Sequence, residues 1–275
     1  MKAISHNLSV LLTGLALAGS VMTAAARPTG ELDGNKRPDR RSLLKTAAGC
    51  RDAEATIDLD INNVRARIMT GGDMWWDRGT GEARYEVPKG SKKNALFAGS
   101  LWVGGFDTQG QLKVTAQTFR QSGNDYWTGP LDQFNSIDEA TCTQWDRFWK
   151  VNRSDVLVFR DMVAQGQQEA LRNNPTYASI REWPARGNID AIGSDGAQLR
   201  TLITSPTNLR SYAPFVDING DGQYQWDLGD YPSIDVNDEC GVTPNGGPDQ
   251  YIFSIYNDVG NTKTQTGTDG IGLEV

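Results

Sequence analysis

The sequence predicts a mainly β protein, built of β-sandwich-like antiparallel sheets with a small α-helical insertion. Three observations support this fold class. Several segments alternate apolar and polar residues with a period of two, which is typical of half-buried strands. A central segment carries helix-capping signals instead, and the 275 residues include 30 glycines, as expected of a turn-rich chain.

The first 26 residues have the features of a secretory signal peptide. Lys2 precedes an apolar run over residues 8–18, and residues 24–26 are three alanines of the size that a signal peptidase accepts. The run is shorter than the ~20 residues that a membrane-spanning helix needs, so we expect cleavage after Ala26 and no membrane insertion afterwards. The predicted location is therefore extracellular or at the outer cell surface.

The folded module is predicted to span residues 55–275, after a flexible leader over residues 27–54 that is rich in charge, Pro and Gly. Apolar residues alternate with polar ones over residues 57–61 and predict the first strand. After Asn62 and Asn63 the apolar positions move to even numbers, which predicts a bulge or a turn.

Later regions also predict strands. Residues 95–106 and 112–120 flank the turn sequence DTQGQ and predict a hairpin, and YIFSIYN at residues 251–257 predicts another strand. The chain ends in IGLEV, where alternation has just begun. We therefore expect either an amino-terminal piece of a longer polypeptide or a last strand that pairs with something outside this sequence. An unpaired edge of that kind would favour self-association into a filament.

Helical signals are confined to an insertion over about residues 136–174. Ser136 and Glu139 have capping-box spacing ahead of ATCTQWDRFWKV. Ser154 is placed to cap a second helix, DVLVFRDMVAQGQQEALR, which we expect to end before Pro175.

Composition excludes several classes of function. The net charge of −7 argues against binding to nucleic acid or to anionic membranes. The one histidine, His6, lies in the predicted signal peptide, so the mature chain is expected to have none. Histidine-based nucleophilic sites and histidine-ligated metal centres are excluded on that expectation, and no catalytic motif is present.

The three cysteines favour a disulfide over a metal site. They are far apart and form no CxxC pair. Export to an oxidising compartment makes one bridge reasonable, and we expect Cys142 to pair with Cys240 because both lie in the predicted folded module. Cys50 lies in the predicted leader.

The stretch FVDINGDGQYQWDLGDYP predicts a calcium loop over about residues 217–230. Asp217, Asn219 and Asp221 alternate along a tight turn, as the short oxygen ligands of Ca²⁺ do in calcium loops. Gly222 permits the bend, and Gln223 is placed to offer its backbone oxygen. The alternative is an Asx-rich surface turn with solvated carboxylates.

The end of this loop departs from the EF-hand pattern, because its twelfth position is Leu228 instead of an acid. Asp227 lies one residue earlier and Asp230 two residues later. Either could close the ligand ring if the loop bends differently from a helix-loop-helix hand. The predicted metal ligands are therefore Asp217, Asn219, Asp221, Gln223, Asp227 and Asp230.

Two other functions compete with a structural role. Some of the eight tryptophans could stack on sugar rings in a glycan-binding module, although core packing is the alternative for them. A glycoside hydrolase with two carboxylates needs no histidine. Its candidate acids are Glu182, which is beside Trp183, and Asp125, which is followed by two aromatic residues.

Several phrases, taken in order, resemble the amino-terminal region of large secreted surface proteins of Bacteroidetes. They include GGDMWWD, CTQWDRFWKVNRSD, WPARGN, the calcium-loop stretch and NDVGNTKTQTG. The resemblance covers most of the chain from about Ile57 onward. It implies export by the signal peptide and then type IX secretion across the outer membrane. The family's carboxy-terminal sorting domain is absent from this sequence, as expected of a truncated chain, and the resemblance implies no particular reaction.

Overall fold

The computed structural model describes residues 48–106, 109–117, 125–199, 212–234, 248–263 and 270–275. The predicted signal peptide, most of the predicted leader and Cys240 lie outside these ranges. In the described part the fold is mainly β, with several antiparallel sheets and a few short helices, which confirms the predicted fold class. No helix in these ranges is both long and apolar enough to span a membrane.

The described strands and helices are numbered here in chain order. The strands are β1 (Thr56–Leu59), β2 (Arg65–Met69), β3 (Asp73–Met74), β4 (Tyr85–Glu86), β5 (Asn94–Leu96), β6 (Gly99–Ser100), β7 (Trp102–Phe106), β8 (Leu112–Ala116), β9 (Trp127–Thr128), β10 (Trp149–Asn152), β11 (Phe215–Val216), β12 (Tyr231–Pro232), β13 (Gln250–Phe253) and β14 (Tyr256–Asn257). The helices are α1 (Glu139–Trp145), α2 (Arg153–Ala164), α3 (Gln168–Arg172) and α4 (Ala178–Arg181), with 3₁₀ turns at Pro175–Tyr177 and Trp226–Leu228.

The largest sheet is organised around β2. Strand β1 pairs with β2 along its whole length, so the phase change after Asn62 and Asn63 is a hairpin turn. Because β1 occupies one edge of β2, the other edge is shared by β3, which pairs at Ile68, and β4, which pairs at Arg65 and Ala66. Strand β5 extends the sheet beyond β4, and β6 extends it beyond β3.

The predicted hairpin is confirmed in part, since β7 and β8 pair antiparallel over five residues each. The earlier part of its predicted first strand instead forms β5 and β6 of the largest sheet. One face of this hairpin is apolar and exposed. Trp102, Phe106 and Leu112 keep 65%, 77% and 63% of their surface accessible. A contiguous apolar surface of this kind is typical of an interaction site.

The helical insertion is confirmed and extends to Arg181, but its caps differ from the predictions. The N-cap of α1 is Asp138, whose carboxylate accepts a hydrogen bond from the Thr141 backbone N–H at 2.7 Å. A carboxylate at this position also interacts favourably with the helix dipole, which a serine hydroxyl does not. Ser154 lies inside α2 and does not cap it.

The second predicted helix is two helices. Helix α2 ends at Ala164 and α3 begins at Gln168. Gly166 lies between them with φ of +74°, a left-handed conformation that ends a helix. Pro175 then opens a 3₁₀ turn instead of following the helix as a simple stop.

An aromatic core joins the insertion to β10 and β13. Trp145, Trp149 and Trp183 are fully buried, and the first two pack edge to face with ring centroids 5.5 Å apart. Trp183 packs on Tyr251 in the same way. These tryptophans therefore act as core residues, and Trp102 is the most exposed tryptophan of the described residues.

The predicted disulfide is wrong in its partner, since Cys142 is bonded to Cys50 and not to Cys240. The end of the predicted leader packs on the fold as an extended segment. The backbone N–H groups of Ala48 and Cys50 donate to the Gly260 carbonyl, at 3.2 and 3.4 Å. Cys50 and Cys142 are buried together with Trp127. Composition alone could not show that this charged segment has a docking position.

The last residues pair within the chain. Tyr256 and Val275 exchange backbone hydrogen bonds, and the Asp258 N–H donates to the Leu273 carbonyl. The buried Asp258 carboxylate accepts the N–H groups of residues 271–273 and is 3.3 Å from the Lys263 ammonium. The alternating residues at the end of the sequence thus pair with β14 and with Asp258, the residue after it.

Candidate metal centre

The loop over residues 217–230 is closed at its base by two short strands. Strands β11 and β12 pair antiparallel, with Phe215 opposite Pro232 and Val216 opposite Tyr231. This pairing brings Asp217 and Asp230, the first and last predicted ligands, to adjacent positions at the mouth of the loop. The two ends of the predicted loop are therefore joined by the pairing of β11 with β12, where an EF-hand loop has a helix on each side.

Two aromatic residues fix the middle of the loop to the core. Tyr224 and Trp226 are almost fully buried. The Tyr224 hydroxyl donates to the Ile180 carbonyl at 2.6 Å, and the Trp226 indole N–H donates to Asp190 Oδ2 at 2.5 Å. The loop is thus attached to the helical insertion, so a change in its conformation affects the main core.

The first three predicted ligands form consecutive tight turns. The Asp217 carboxylate accepts the N–H groups of Gly220 and Gly222, at 2.7 and 2.6 Å. Asn219 Oδ1 accepts the Asp221 N–H at 3.1 Å, and Asp221 Oδ1 accepts the Gln223 N–H at 2.8 Å. These local bonds fix the conformation of the loop backbone.

Glycine is required in this loop for its backbone conformation. Gly220 and Gly222 have φ of +77° and +76°, in the left-handed region that side chains disfavour. No atom lies within 4 Å of the Cβ position at either residue, so crowding is not the reason for glycine there.

Asp230 is the acid that closes the loop. Its carboxylate is fully buried and accepts the Ile218 and Gln225 N–H groups, at 2.8 and 2.7 Å. Burial raises its pKa above the ordinary 3.8, and the nearby charges of Asp217 and Asp221 raise it further. The two hydrogen bonds from the backbone N–H groups lower its pKa.

The structure places the remaining predicted ligands further out. Asp227 lies exposed on the 3₁₀ turn, and its carbonyl accepts a hydrogen bond from Gln168 at 3.2 Å. The side chain of Gln223 lies close to Gly187, which agrees with a role for its backbone oxygen only. Of the two candidate closing acids, Asp230 is the one that contacts the start of the loop, because it accepts the Ile218 N–H.

Sequence reasoning missed Gln225. Its side-chain oxygen is 3.2 Å from Asn219 Nδ2, and its N–H binds Asp230. The signal was available, because Gln225 is the ninth residue counted from Asp217, a position that commonly contributes through water in EF-hand loops.

The donor chemistry of the loop suits a hard divalent cation. The loop carries the carboxylates of Asp217, Asp221 and Asp230 and the amide oxygen of Asn219, which are oxygen donors of the kind that Ca²⁺ takes. Each carboxylate offers about four lone-pair sites, so its bonds to backbone N–H groups leave others for an ion. Within the described ranges, however, no three Asp, Glu, Cys or His side chains are already arranged around one point.

The acids considered for a hydrolase occupy different environments. Glu182 is ion-paired with Arg147, and the adjacent Trp183 ring is buried in the core. Asp125 is buried, which raises its pKa, and it accepts the Ala116 N–H at 3.1 Å. The aromatic residues next to these acids are therefore core residues and do not form an accessible sugar platform.

Comparison of the chain with family models, with curated proteins and with solved structures gives no match in any of the three cases. The resemblance described from the sequence phrases therefore stays a prediction.

Proposed function

We propose that this protein is a secreted structural or adhesive module of the cell surface or of an extracellular assembly, stabilised locally by one calcium ion. The ion would be held by Asp217, Asn219, Asp221, the backbone oxygen of Gln223 and Asp230. The observation that carries the proposal is the buried Asp230 carboxylate, whose pKa is raised mainly by its burial and further by Asp217 and Asp221 of the same loop.

Calcium would act on stability by neutralising this repulsion. Residues 215–232 contain four aspartates and no lysine or arginine. A bound divalent cation removes the electrostatic cost of holding three carboxylates close together, and it fixes the base of the loop. Because Tyr224 and Trp226 attach the loop to the aromatic core, the gain is expected in the stability of the whole module.

The expected size of the effect follows from mass action. Extracellular calcium modules have Kd values of about 10⁻⁴–10⁻³ M. At 10 mM Ca²⁺, which is about 10–100 times Kd, binding stabilises the folded state by about 1.4–2.7 kcal/mol. For a chain of this size that corresponds to a rise of about 3–10 °C in Tm.

Thermal melts of the mature chain test the proposal. The Tm is expected to be higher in 10 mM CaCl₂ than in EGTA, and Asp221→Ala is expected to abolish the difference. Asp132→Ala is the matched control, since Asp132 is exposed and its carboxylate also accepts local N–H groups, from Phe134 and Ser136 at 2.8 Å. Equal melting of the wild type in calcium and in EGTA would refute a structural ion.

Glycan binding is the second candidate, and one observation favours it. The exposed Trp102 ring is held in place because its indole N–H donates to Ser100 Oγ and to the Gln117 carbonyl, both at 3.0 Å. A fixed, exposed indole suits stacking on a sugar ring. A glycan array with the wild type and Trp102→Ala tests this, and binding that survives the substitution would set Trp102 aside.

A further inference from the structure

A groove of about 820 Å³ lies on the polar face of the largest sheet. It is formed by residues of β1, β2, β4 and β5 together with residues 81–84, Lys92 and Phe97. Its volume is within the range of small-ligand sites. The groove is separate in sequence from the calcium loop.

The polar face follows from the strand period. Arg65 and Arg67 are two apart on β2 and point to the same side of the sheet. Their cross-strand partners are acidic, because Arg65 is opposite Glu86 and Arg67 is opposite Asp58. The sheet therefore presents a row of alternating charges along this side.

Arg67 has a structural role in this row. Its guanidinium donates to Asp58 Oδ1 at 2.8 Å and to Asp77 Oδ2 at 2.7 Å. The hydrogen bond to Asp58 is the main reason that the pKa of Arg67 is raised. These contacts engage Asp58 and Asp77 and fix the floor of the groove.

Two other cations of the groove, Arg65 and Lys92, retain unused hydrogen-bonding capacity. Arg65 donates through Nε and one terminal nitrogen to a single oxygen of Glu86, which leaves its second terminal nitrogen without a bond to the described residues. Arg84, by contrast, is engaged by two carboxylates, Glu82 at 2.9 Å and Asp77 at 3.7 Å. The Lys92 ammonium forms no ion pair with the described residues. The unused donors in the groove are therefore cationic, although the whole chain carries a charge of −7.

The position of Lys92 is maintained against backbone strain. Its φ is +59°, a left-handed conformation that is unfavourable for a residue with a side chain, and its backbone N–H donates to Glu86. Strain of this kind often accompanies functional sites. Glu86, whose side chain is 10% exposed, thus positions both Arg65 and Lys92 at the groove.

We propose that this groove binds a segment of an acidic polysaccharide through the carboxylates of its uronic acid residues. Guanidinium groups match carboxylates in shape and charge. Phe97 lines the groove beside these cations and is half exposed. This ligand class rests on the proposed function, because it gives the adhesive role its target.

Calorimetry tests the proposal with the calcium-loaded mature chain and an oligogalacturonate of defined length. Saturable binding is expected with the acidic oligosaccharide and none with its carboxyl-reduced, neutral form. Equal binding of the reduced form, tighter binding of a sulfated dextran fragment, or no binding at all would overturn the proposal.

Variants identify the groove as the binding site. Lys92→Gln is expected to weaken binding at least tenfold, as is Arg65→Gln. Lys93→Gln, a change of equal charge at the adjacent exposed residue outside the groove, is expected to change it less than twofold. An equal loss with Lys93→Gln would show nonspecific attraction and refute the site.

The same samples separate this proposal from the proposed function. Their Tm in calcium and in EGTA reports on the loop alone. A retained calcium shift without oligosaccharide binding refutes the groove and leaves the calcium loop intact. Oligosaccharide binding without a calcium shift supports the groove and refutes the structural ion.

Discussion

Removal of the Cys50–Cys142 disulfide should strongly destabilise this module. The bond joins residues 92 positions apart, and the chain-entropy relation for such a loop gives about 4.6 kcal/mol at 25 °C. Ala48 and Cys50 retain two backbone hydrogen bonds to Gly260 when the bond is absent, which keeps part of the docking. We therefore expect the double variant Cys50→Ala/Cys142→Ala to lose about 3–5 kcal/mol of unfolding free energy.

Urea unfolding followed by tryptophan fluorescence measures this loss, with Cys240→Ala as the control for removal of a cysteine that is not part of the bond. Alkylation of the unfolded, unreduced chain gives an independent readout, because only Cys240 should be modified before reduction. Modification of Cys50 before reduction, or a double variant as stable as the wild type, would refute the pairing.

Three further predictions concern other contacts. First, the unfolding free energy of the calcium-free wild type should fall relative to that of Asp230→Asn as the pH rises from 3.8 through the raised folded pKa of Asp230. The reason is that the stabilising contribution of a buried, protonated acid is lost when the acid ionises. Urea melts at several pH values measure this difference in unfolding free energy, and a difference that does not change with pH would contradict the burial. Second, Gly260→Ala should lower the unfolding free energy in urea by about 1–3 kcal/mol, because the added Cβ would be 2.5 Å from Trp127 Cβ. Gly105→Ala is the control, since no atom lies within 4 Å of its Cβ position, and it should change the unfolding free energy by less than about 0.5 kcal/mol. Third, Asp258→Asn should lower the unfolding free energy by about 3–5 kcal/mol, because it leaves the buried Lys263 ammonium without its carboxylate partner. Lys263→Met in the same chain should recover part of that loss, which a double-mutant cycle measures. Fully additive effects of the two substitutions on the unfolding free energy would contradict the pairing.

The period-two signal predicted the strands well, because it depends on local alternation alone. It predicted strands at β1 and β2 and the pairing of β7 with β8. The single strand that it predicted over residues 251–257 is divided into β13 and β14, which pair with different strands. The helix caps were harder to predict, since Asp138 and Ser136 both lie near the start of α1. Tertiary docking decided the disulfide, because the carbonyl of Gly260 holds the charged segment around Cys50, and no local pattern reports that contact.

The loop over residues 217–230, where we propose a calcium ion, shows a similar division. The spacing of Asp217, Asn219 and Asp221 predicted a run of tight turns, which local hydrogen bonds produce. The choice between Asp227 and Asp230 as closing acid depends on the pairing of β11 with β12, which spans the loop.

The groove could not be predicted in the same way. Its cations come from β2, from Arg84 just before β4 and from the turn before β5. Each of them has acidic neighbours nearby in the chain or across the sheet. Such residues resemble an ordinary solvated face until the sheet assembles them.

Direct titration of calcium into the metal-free mature chain tests the central claim most directly. Isothermal calorimetry is expected to show one ion per chain, with a Kd of about 10⁻⁴–10⁻³ M, and no heat of binding with Asp217→Ala/Asp221→Ala. Absence of binding to the wild type, or binding that the double variant retains, would contradict the claim.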